Sequence, residues 1–132
     1  MTEEVRLRIV KARTLLAQAR RLDPNRDAEG VIHLSYYAMY HAAVAVLLAR
    51  SRTVPTRHSS VIGRFGLLAK KLGGEAREAG RTINRAFDLR LLADYDVAAQ
   101  DLGEDARIIR GKATRFLKTC ERLTATARGR SR

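Results

Sequence analysis

The stretch HLSYYAMYHAAVAVLLA, residues 33–49, decides the fold of this 132-residue chain. It contains no Asp, Glu, Lys or Arg, and from residue 36 onward a helix built from it is apolar nearly all round. A helix of that kind lies at the centre of a bundle or is covered on a second side by a partner. The same stretch holds three of the four tyrosines and two of the three histidines, so the predicted central helix also carries an unusual set of polar rings.

Helical periodicity extends through the rest of the chain, with apolar residues recurring at three- and four-residue intervals. It predicts five helices, over residues 2–22, 27–50, 57–72, 75–95 and 104–127. Thr2 and Thr56 are suited to cap the first and third helices, and Gly73-Gly74 is suited to end the third. No segment alternates with period two over a useful length. We therefore expect an all-α fold, an antiparallel helical bundle of four to five helices.

The net charge of +12 is the strongest compositional feature. Of the 26 basic residues, 21 are arginine and five are lysine. Because arginine forms bidentate contacts with phosphate and carboxylate, RNA or an acidic protein is a plausible partner. The alternative interpretation is that the charge is a solvated surface and that the arginines reflect a GC-rich genome.

Length and cysteine content indicate one domain in a reducing compartment. Residues 1–127 are predicted to form the bundle, and the basic residues 128–132 are predicted to be a disordered tail. The single cysteine, Cys120, permits no internal disulfide, lies in a helical stripe suited to packing, and fits a cytoplasmic location. The charged N-terminus lacks a signal-peptide pattern, and the longest apolar run is too short to cross a bilayer, so we expect no membrane association.

The polar rings of the central helix fall on one side of it. His33, Tyr37 and His41 follow one another at i, i+4 spacing, and Tyr40 lies beside them. Histidine transfers protons near neutral pH, and tyrosine donates hydrogen bonds and stacks on bases. The pattern leaves two interpretations open, a functional cleft or a core in which these groups satisfy one another.

The fourth helix has a charged pair inside its apolar stripe. Arg90 and Asp94 are separated by four residues, so they can pair with each other. They form either a structural salt bridge near the end of the bundle or a phosphate site in which Asp94 orients Arg90. His58 opens the third helix on its apolar side, where a polar residue of the first turn is suited to cap the helix. The sequence contains no metal-ligand spacing and no glycine-rich phosphate loop, so we predict no metal and no cofactor.

Three segments together resemble the small standalone proteins of the HEPN-domain family. They are SYYAMYHAAVAVLLA (35–49), RHSSVI (57–62) and RLLADYD (90–96), and the resemblance covers nearly the whole chain. It implies an HEPN-like bundle that forms a homodimer. Many members of this family are toxins of toxin–antitoxin pairs, with a minimal nucleotidyltransferase as antitoxin partner. Active members are metal-independent ribonucleases, and the resemblance assigns His41 as the acid/base.

The family's catalytic signature, an arginine followed after four to six residues by a histidine, is not met at His41. The arginine would stand at position 34, 35 or 36, and these positions hold Leu34, Ser35 and Tyr36. Because the expected arginine is missing, the resemblance is compatible with a degenerate enzyme.

Other arginines could complete the pair. The signature spacing occurs at Arg26–His33 and at Arg52–His58, and Arg90 could approach His41 from the fourth helix. The leading hypothesis is a toxin-type ribonuclease that uses His41 with Arg90, or alternatively the pair Arg26–His33. The candidate binding residues are Tyr37, Tyr40, Asp94, His58 and His33.

Two further hypotheses remain. One is a non-catalytic HEPN binding module that holds RNA, a nucleotide or a nucleotidyltransferase partner. The other is a purely structural dimer in which the tyrosines and His41 satisfy one another at the interface.

Overall fold

The structure, a computed structural model, describes residues 1–51, 53–95 and 101–130. Within these ranges the chain forms five α-helices and no strand, which confirms the predicted all-α class. The helices are α1 (Glu3–Arg21), α2 (Ala28–Ser51), α3 (His58–Leu72), α4 (Gly74–Tyr95) and α5 (Gly103–Arg130). α5 continues past the predicted domain end at residue 127, and residues 131–132 lie outside the described part.

The first helix begins as the sequence predicts, but the third does not. Thr2 caps α1 by accepting a hydrogen bond from the Val5 amide, with an O–N distance of 3.2 Å. Thr56 is not the cap of α3. The Val61 amide donates to the Arg57 carbonyl at 3.0 Å, so Arg57 occupies the N-cap position and offers no side-chain cap. The first turn of α3 is therefore left without a side-chain acceptor from the cap.

The turn between α3 and α4 depends on glycine. Gly73 has φ +68° and ψ −173°, a region that is essentially restricted to glycine. Its amide donates to the Ala69 carbonyl at 2.9 Å and so closes the last turn of α3. α4 starts at the next residue, one position earlier than predicted.

The predicted central helix is central in the structure. α2 packs against all four other helices, most extensively against α1 and α5. Its residues 42–47 are all fully or almost fully buried. Among the described helices, α2 alone is long and apolar enough for a membrane span, but 67% of its most apolar window is buried inside the bundle, as in the core helix of a soluble protein.

The core is built mainly from apolar and aromatic side chains and includes the thiol of Cys120. The largest fully buried side chains include Tyr36, Phe65 and Phe116. Cys120 of α5 is fully buried beside them in the core, which confirms its predicted packing role. Burial raises the pKa of its thiol well above the usual range, so the thiol stays protonated in the folded protein.

Candidate functional site

An aromatic cluster joins α2 to the first turn of α3. A hydrogen bond of 2.8 Å links the Tyr36 hydroxyl to His58 Nδ1. The Tyr40 ring stacks on His58, with ring centroids 4.0 Å apart and an interplanar angle of 13°. Tyr37 meets the edge of His58 at 5.7 Å. His58 therefore belongs to the polar cluster.

Arg90 extends from α4 over these rings. Its guanidinium carbon lies 5.2 Å from the centroid of Tyr36 and 5.9 Å from that of Tyr37, within cation–π range. Its side chain is only 17% exposed, yet its hydrogen bond to the Tyr37 hydroxyl is long, at 3.5 Å. The buried Nε has no hydrogen-bond partner among the described residues. A guanidinium carries five N–H donors, so Arg90 has donors beyond its contacts with Tyr37 and Asp94 that could bind a ligand.

Asp94 links Arg90 to His33. One carboxylate oxygen lies 3.5 Å from Arg90 Nε, which confirms that this pair forms. The other oxygen lies 2.6 Å from His33 Nε2. Because the longer contact is the one to Arg90, Asp94 neutralises the guanidinium incompletely. His33 stands at the exposed margin of the cluster, with 39% of its side chain accessible.

His41 has a different arginine as its neighbour. Arg8 of α1 lies with Nη1 2.9 Å from His41 Nδ1. Because a guanidinium only donates hydrogen bonds, Nδ1 is the acceptor and carries no proton in this contact. The rings of His41 and Tyr40 also meet in a T-shaped arrangement, with centroids 5.5 Å apart, so Tyr40 contacts both His41 and His58.

The predicted pairing of His41 with Arg90 is not what the structure contains. Among the described residues the guanidinium on His41 comes from Arg8, while Arg90 contacts Tyr36, Tyr37, Phe87 and Asp94. α1 and α4 both pack on α2 but do not contact each other among the described residues, and each arginine reaches a different turn of α2.

The alternative pair Arg26–His33 also does not form among the described residues. Arg26 is exposed in the turn before α2 and lines an open cavity of about 360 Å³, whereas His33 pairs with Asp94. Arg52, the possible partner of His58, lies outside the described residues.

The environment lowers the pKa of both histidines. Burial, then Arg8, Lys11 and His58, lower the pKa of His41 to about 4. Burial and, after it, Arg90 lower the pKa of His58. Both rings are therefore uncharged at neutral pH in the free protein. Burial also raises the pKa of Tyr36 well above its usual range, so its hydroxyl stays protonated and available for the bond to His58.

The cluster offers guanidinium, imidazole and phenol groups to a ligand. In the described part of the chain, no three His, Cys, Asp or Glu side chains converge as a set of metal ligands. Guanidinium and phenol hydroxyl groups bind phosphate oxygens, and tyrosine rings stack on bases. The geometry thus suits a phosphate-containing ligand with an aromatic part.

Comparison with known proteins gives consistent matches over most of the chain. The sequence model of the HEPN domain matches residues 5–123. A Methanocaldococcus jannaschii protein named "Putative toxin" is 34% identical over 93 residues, which are 70% of this chain and 69% of that protein. A "UPF0332 protein" of Thermotoga maritima is 30% identical over 113 residues, 86% of this chain and 85% of that protein. Another of Archaeoglobus fulgidus is 34% identical over 118 residues, 84% of this chain and 93% of that protein.

The five-helix bundle therefore has the all-α architecture of an HEPN domain. The chain belongs to the HEPN domain family, as its sequence predicted.

Proposed function

We propose that this protein is the toxin-type component of a toxin–antitoxin pair and that it cleaves RNA without a metal ion. The observation that carries the proposal is the incompletely bonded guanidinium of Arg90, which lies over tyrosine rings and influences His58. Two M. jannaschii relatives that carry the name "Putative toxin" support the toxin assignment.

The proposed reaction transfers the phosphate within the RNA strand. The 2′-oxygen loses its proton to a histidine and bonds to the adjacent phosphorus, while the 5′-oxygen leaves and takes a proton from a second donor. The products are a 2′,3′-cyclic phosphate and a 5′-hydroxyl end. Arg90 stabilises the added negative charge on the phosphate oxygens.

His41 and His58 are the proposed proton-transfer groups. Both contact the ring of Tyr40, and both are uncharged in the free protein, so either can accept a proton. The negative charge of a bound phosphate raises histidine pKa values, which makes the second histidine a competent donor once RNA is bound. Tyr37 and Tyr40 supply hydroxyl and ring contacts, and His33 holds Asp94 beside Arg90.

A non-catalytic binding module is the second candidate. It is favoured by the low pKa of His41, about 4, which makes this ring a weak base and keeps it from acting as an acid before a ligand binds. The absence of the signature arginine, with Leu34 in its place, favours the same alternative. In this case the cluster binds RNA or a nucleotide and leaves it intact.

Partners and location belong to the same proposal. We infer a homodimer in the cytoplasm and a minimal nucleotidyltransferase as the antitoxin. The toxin-named relatives support a toxin–antitoxin partnership, and the resemblance to small HEPN toxins supports the two finer assignments. Light scattering of the purified protein tests the dimer, and a monomer at micromolar concentration would contradict it.

A cleavage assay separates the two candidate functions. Purified protein is incubated with mixed RNA, with and without EDTA, beside His58→Ala, His41→Ala and Arg90→Gln. We expect chelator-resistant cleavage that falls by about 100-fold or more in the histidine and Arg90 variants. The matched control is Arg85→Gln, because Arg85 is an exposed arginine of the same helix that pairs with Asp105.

The outcomes are distinct. Cleavage equal in wild type and in all three site variants would exclude the proposed site. RNA binding without cleavage, lost in Arg90→Gln but retained in Arg85→Gln, would establish the binding module instead. Thermal unfolding of each variant shows that loss of activity is not loss of fold.

A further inference from the structure

A second group of cations, on α1, lies beside His41. Arg8 and Lys11 of α1 are three residues apart, so they lie on one face of that helix. Both act on His41, which Arg8 contacts at 2.9 Å and whose pKa Lys11 also lowers. Neither cation forms an ion pair with a carboxylate among the residues that the structure describes.

We propose that Arg8 and Lys11, beside His41, form an anion subsite that holds a second phosphate of the RNA strand. This inference rests on the proposed function for the identity of the ligand as RNA. The chemistry of the subsite itself requires only a phosphate group.

The geometry of Arg8 leaves donors for a ligand. Its Nη1 is used by the imidazole, and the other N–H groups have no hydrogen-bond partner among the described residues. Arginine presents several donors in one plane, so a phosphate can bind to a guanidinium that also holds a histidine. Lys11 is exposed and adds a mobile ammonium group beside it.

The charges at this position are unbalanced in the free protein. The groups that face His41 are Arg8 and Lys11 from α1, His58 from α3 and the ring of Tyr40 from its own helix. None of these groups is an anion, and Arg8, Lys11 and His58 all disfavour a positive charge on His41. A bound phosphate would reverse this balance, because it attracts both cations and favours the protonated imidazole.

The spacing suits two successive phosphates. Arg90 contacts the hydroxyl of Tyr37, and Arg8 contacts His41, which is one turn further along α2. One turn of an α-helix rises about 5.4 Å, and the two arginines belong to different helices, α4 and α1, which both pack on α2. The Tyr40 ring links the two groups of residues, because it stacks on His58 and also contacts His41. The expected ligand is therefore a single strand with at least two phosphates, whose intervening nucleoside lies against these rings.

Nuclear magnetic resonance of the histidine rings tests the subsite without RNA. The ring signals of His41 are followed against pH with and without inorganic phosphate, at constant ionic strength set with chloride. We expect phosphate to raise the pKa of His41 from its value of about 4. In Arg8→Gln we expect phosphate affinity to fall about tenfold or more, since charge-assisted hydrogen bonds are lost. Arg8→Lys keeps the charge and retains part of the response.

Arg13→Gln is the matched control, because Arg13 is an exposed arginine of α1 that pairs with Glu121 instead of with His41. A His41 signal that phosphate leaves unchanged in the wild type would overturn the subsite. An equal response in Arg8→Gln and Arg13→Gln would overturn it as well.

Oligonucleotide binding connects the subsite to RNA. Single-stranded RNAs with one and with two internal phosphates are compared by fluorescence anisotropy. We expect the second phosphate to tighten binding to the wild type and to have little effect on Arg8→Gln. If phosphate binds at His41 but RNA is neither bound nor cleaved, the subsite stands and the proposed ribonuclease function fails. If RNA is cleaved and the second phosphate adds the same affinity in Arg8→Gln, the ribonuclease proposal stands and the subsite fails.

Discussion

His41 and His58, which both contact Tyr40, differ in the hydrogen-bond partner of their Nδ1 atoms. His58 Nδ1 shares a hydrogen bond with the Tyr36 hydroxyl, a neutral group, and His41 Nδ1 accepts from the permanently charged Arg8. A proton on Nδ1 of His41 would displace this guanidinium, whereas His58 can exchange donor and acceptor roles with a phenol. His58 is therefore the more versatile proton-transfer group, and His41 is the more sensitive reporter of bound anions.

The low pKa of His41 predicts that acid destabilises the fold. The unfolded state binds a proton near the ordinary histidine pKa of 6.5, but the folded state does so only near 4. Stability from this group is fully present above about pH 6.5 and is lost as the pH falls towards 4. Allowing for partial solvent exposure, we expect a loss of about 1–2 kcal/mol. Urea unfolding of wild type and His41→Gln at pH 7, 5.5 and 4 measures it. An identical pH dependence in both proteins would contradict the prediction.

At the scale of the helices, the positions of the ends decide which side chains meet. α3 begins at His58 instead of one residue earlier, which places this ring in the first turn and within reach of Tyr36 and Tyr40 on α2. Its other end is fixed by Gly73, whose backbone conformation reverses the chain into α4 and so directs Arg90 back towards the same rings. The site thus depends on both ends of a helix that supplies only one of its residues.

We expect Gly73→Ala to lower the free energy of unfolding by about 1–3 kcal/mol, because alanine is strained at φ +68° and ψ −173°. Gly63→Ala in the same helix is the control. A Cβ there meets nothing within 4 Å, and alanine stabilises a helix interior by up to about 1 kcal/mol relative to glycine. Denaturant unfolding of the two variants measures both effects. Equal changes of the same sign would show that the turn geometry is not the cause.

For the whole molecule, the charge of +12 gives long-range attraction to any polyanion, whatever its sequence. Many of the arginines are engaged with carboxylates on the surface, such as Arg6 with Glu3, Arg81 with Glu78 and Arg107 with Glu104. Arg8 and Arg90 differ from these arginines. Arg8 contacts the ring of His41, and Arg90 contacts the hydroxyl of Tyr37 and lies 3.5 Å from the carboxylate of Asp94. Most of the surface charge therefore contributes to the rate at which a polyanion meets the protein. Arg8 and Arg90 contribute to the stability of the complex once it has formed.

Salt dependence separates the two contributions. For single-stranded RNA, the logarithm of the binding constant falls with the logarithm of salt concentration by about 0.7 for each phosphate neutralised. We expect Arg90→Gln to reduce this slope by about 0.7 and Arg107→Gln to leave it unchanged, since Arg107 is already bonded to Glu104. Titrations from low to high salt measure the slope. The same reduction in both variants would mean that only net charge matters.

The sequence predicts the fold well because periodicity and burial are local properties of each helix. The apolar run at 33–49 predicts its own central position, and the five helices form within three residues of the predicted ends. The prediction of Thr56 as the cap is wrong by one residue, because α3 begins at His58 and Arg57 is its N-cap. The exact residue at which the backbone becomes helical cannot be read from the sequence pattern.

The site is only partly readable from the sequence. Arg90–Asp94 is predicted because the two residues are one turn apart on one helix, and a charged pair in an apolar stripe is visible without a structure. Arg8 is missed because its contact with His41 joins residues 33 positions apart and depends on how α1 lies against α2. The same holds for His33–Asp94 and for Tyr36–His58, whose partners come from different helices.

The solitary thiol in the core has a practical consequence. Cys120 is fully buried and protonated, so reagents that attack thiolates encounter it only when the core around α5 opens. Each alkylated molecule then records one opening event, and no second cysteine obscures the count. The rate of Cys120 alkylation therefore measures how often the core around α5 opens. Cys120 lies far along the chain from the aromatic residues of α2, so the label does not modify the candidate site.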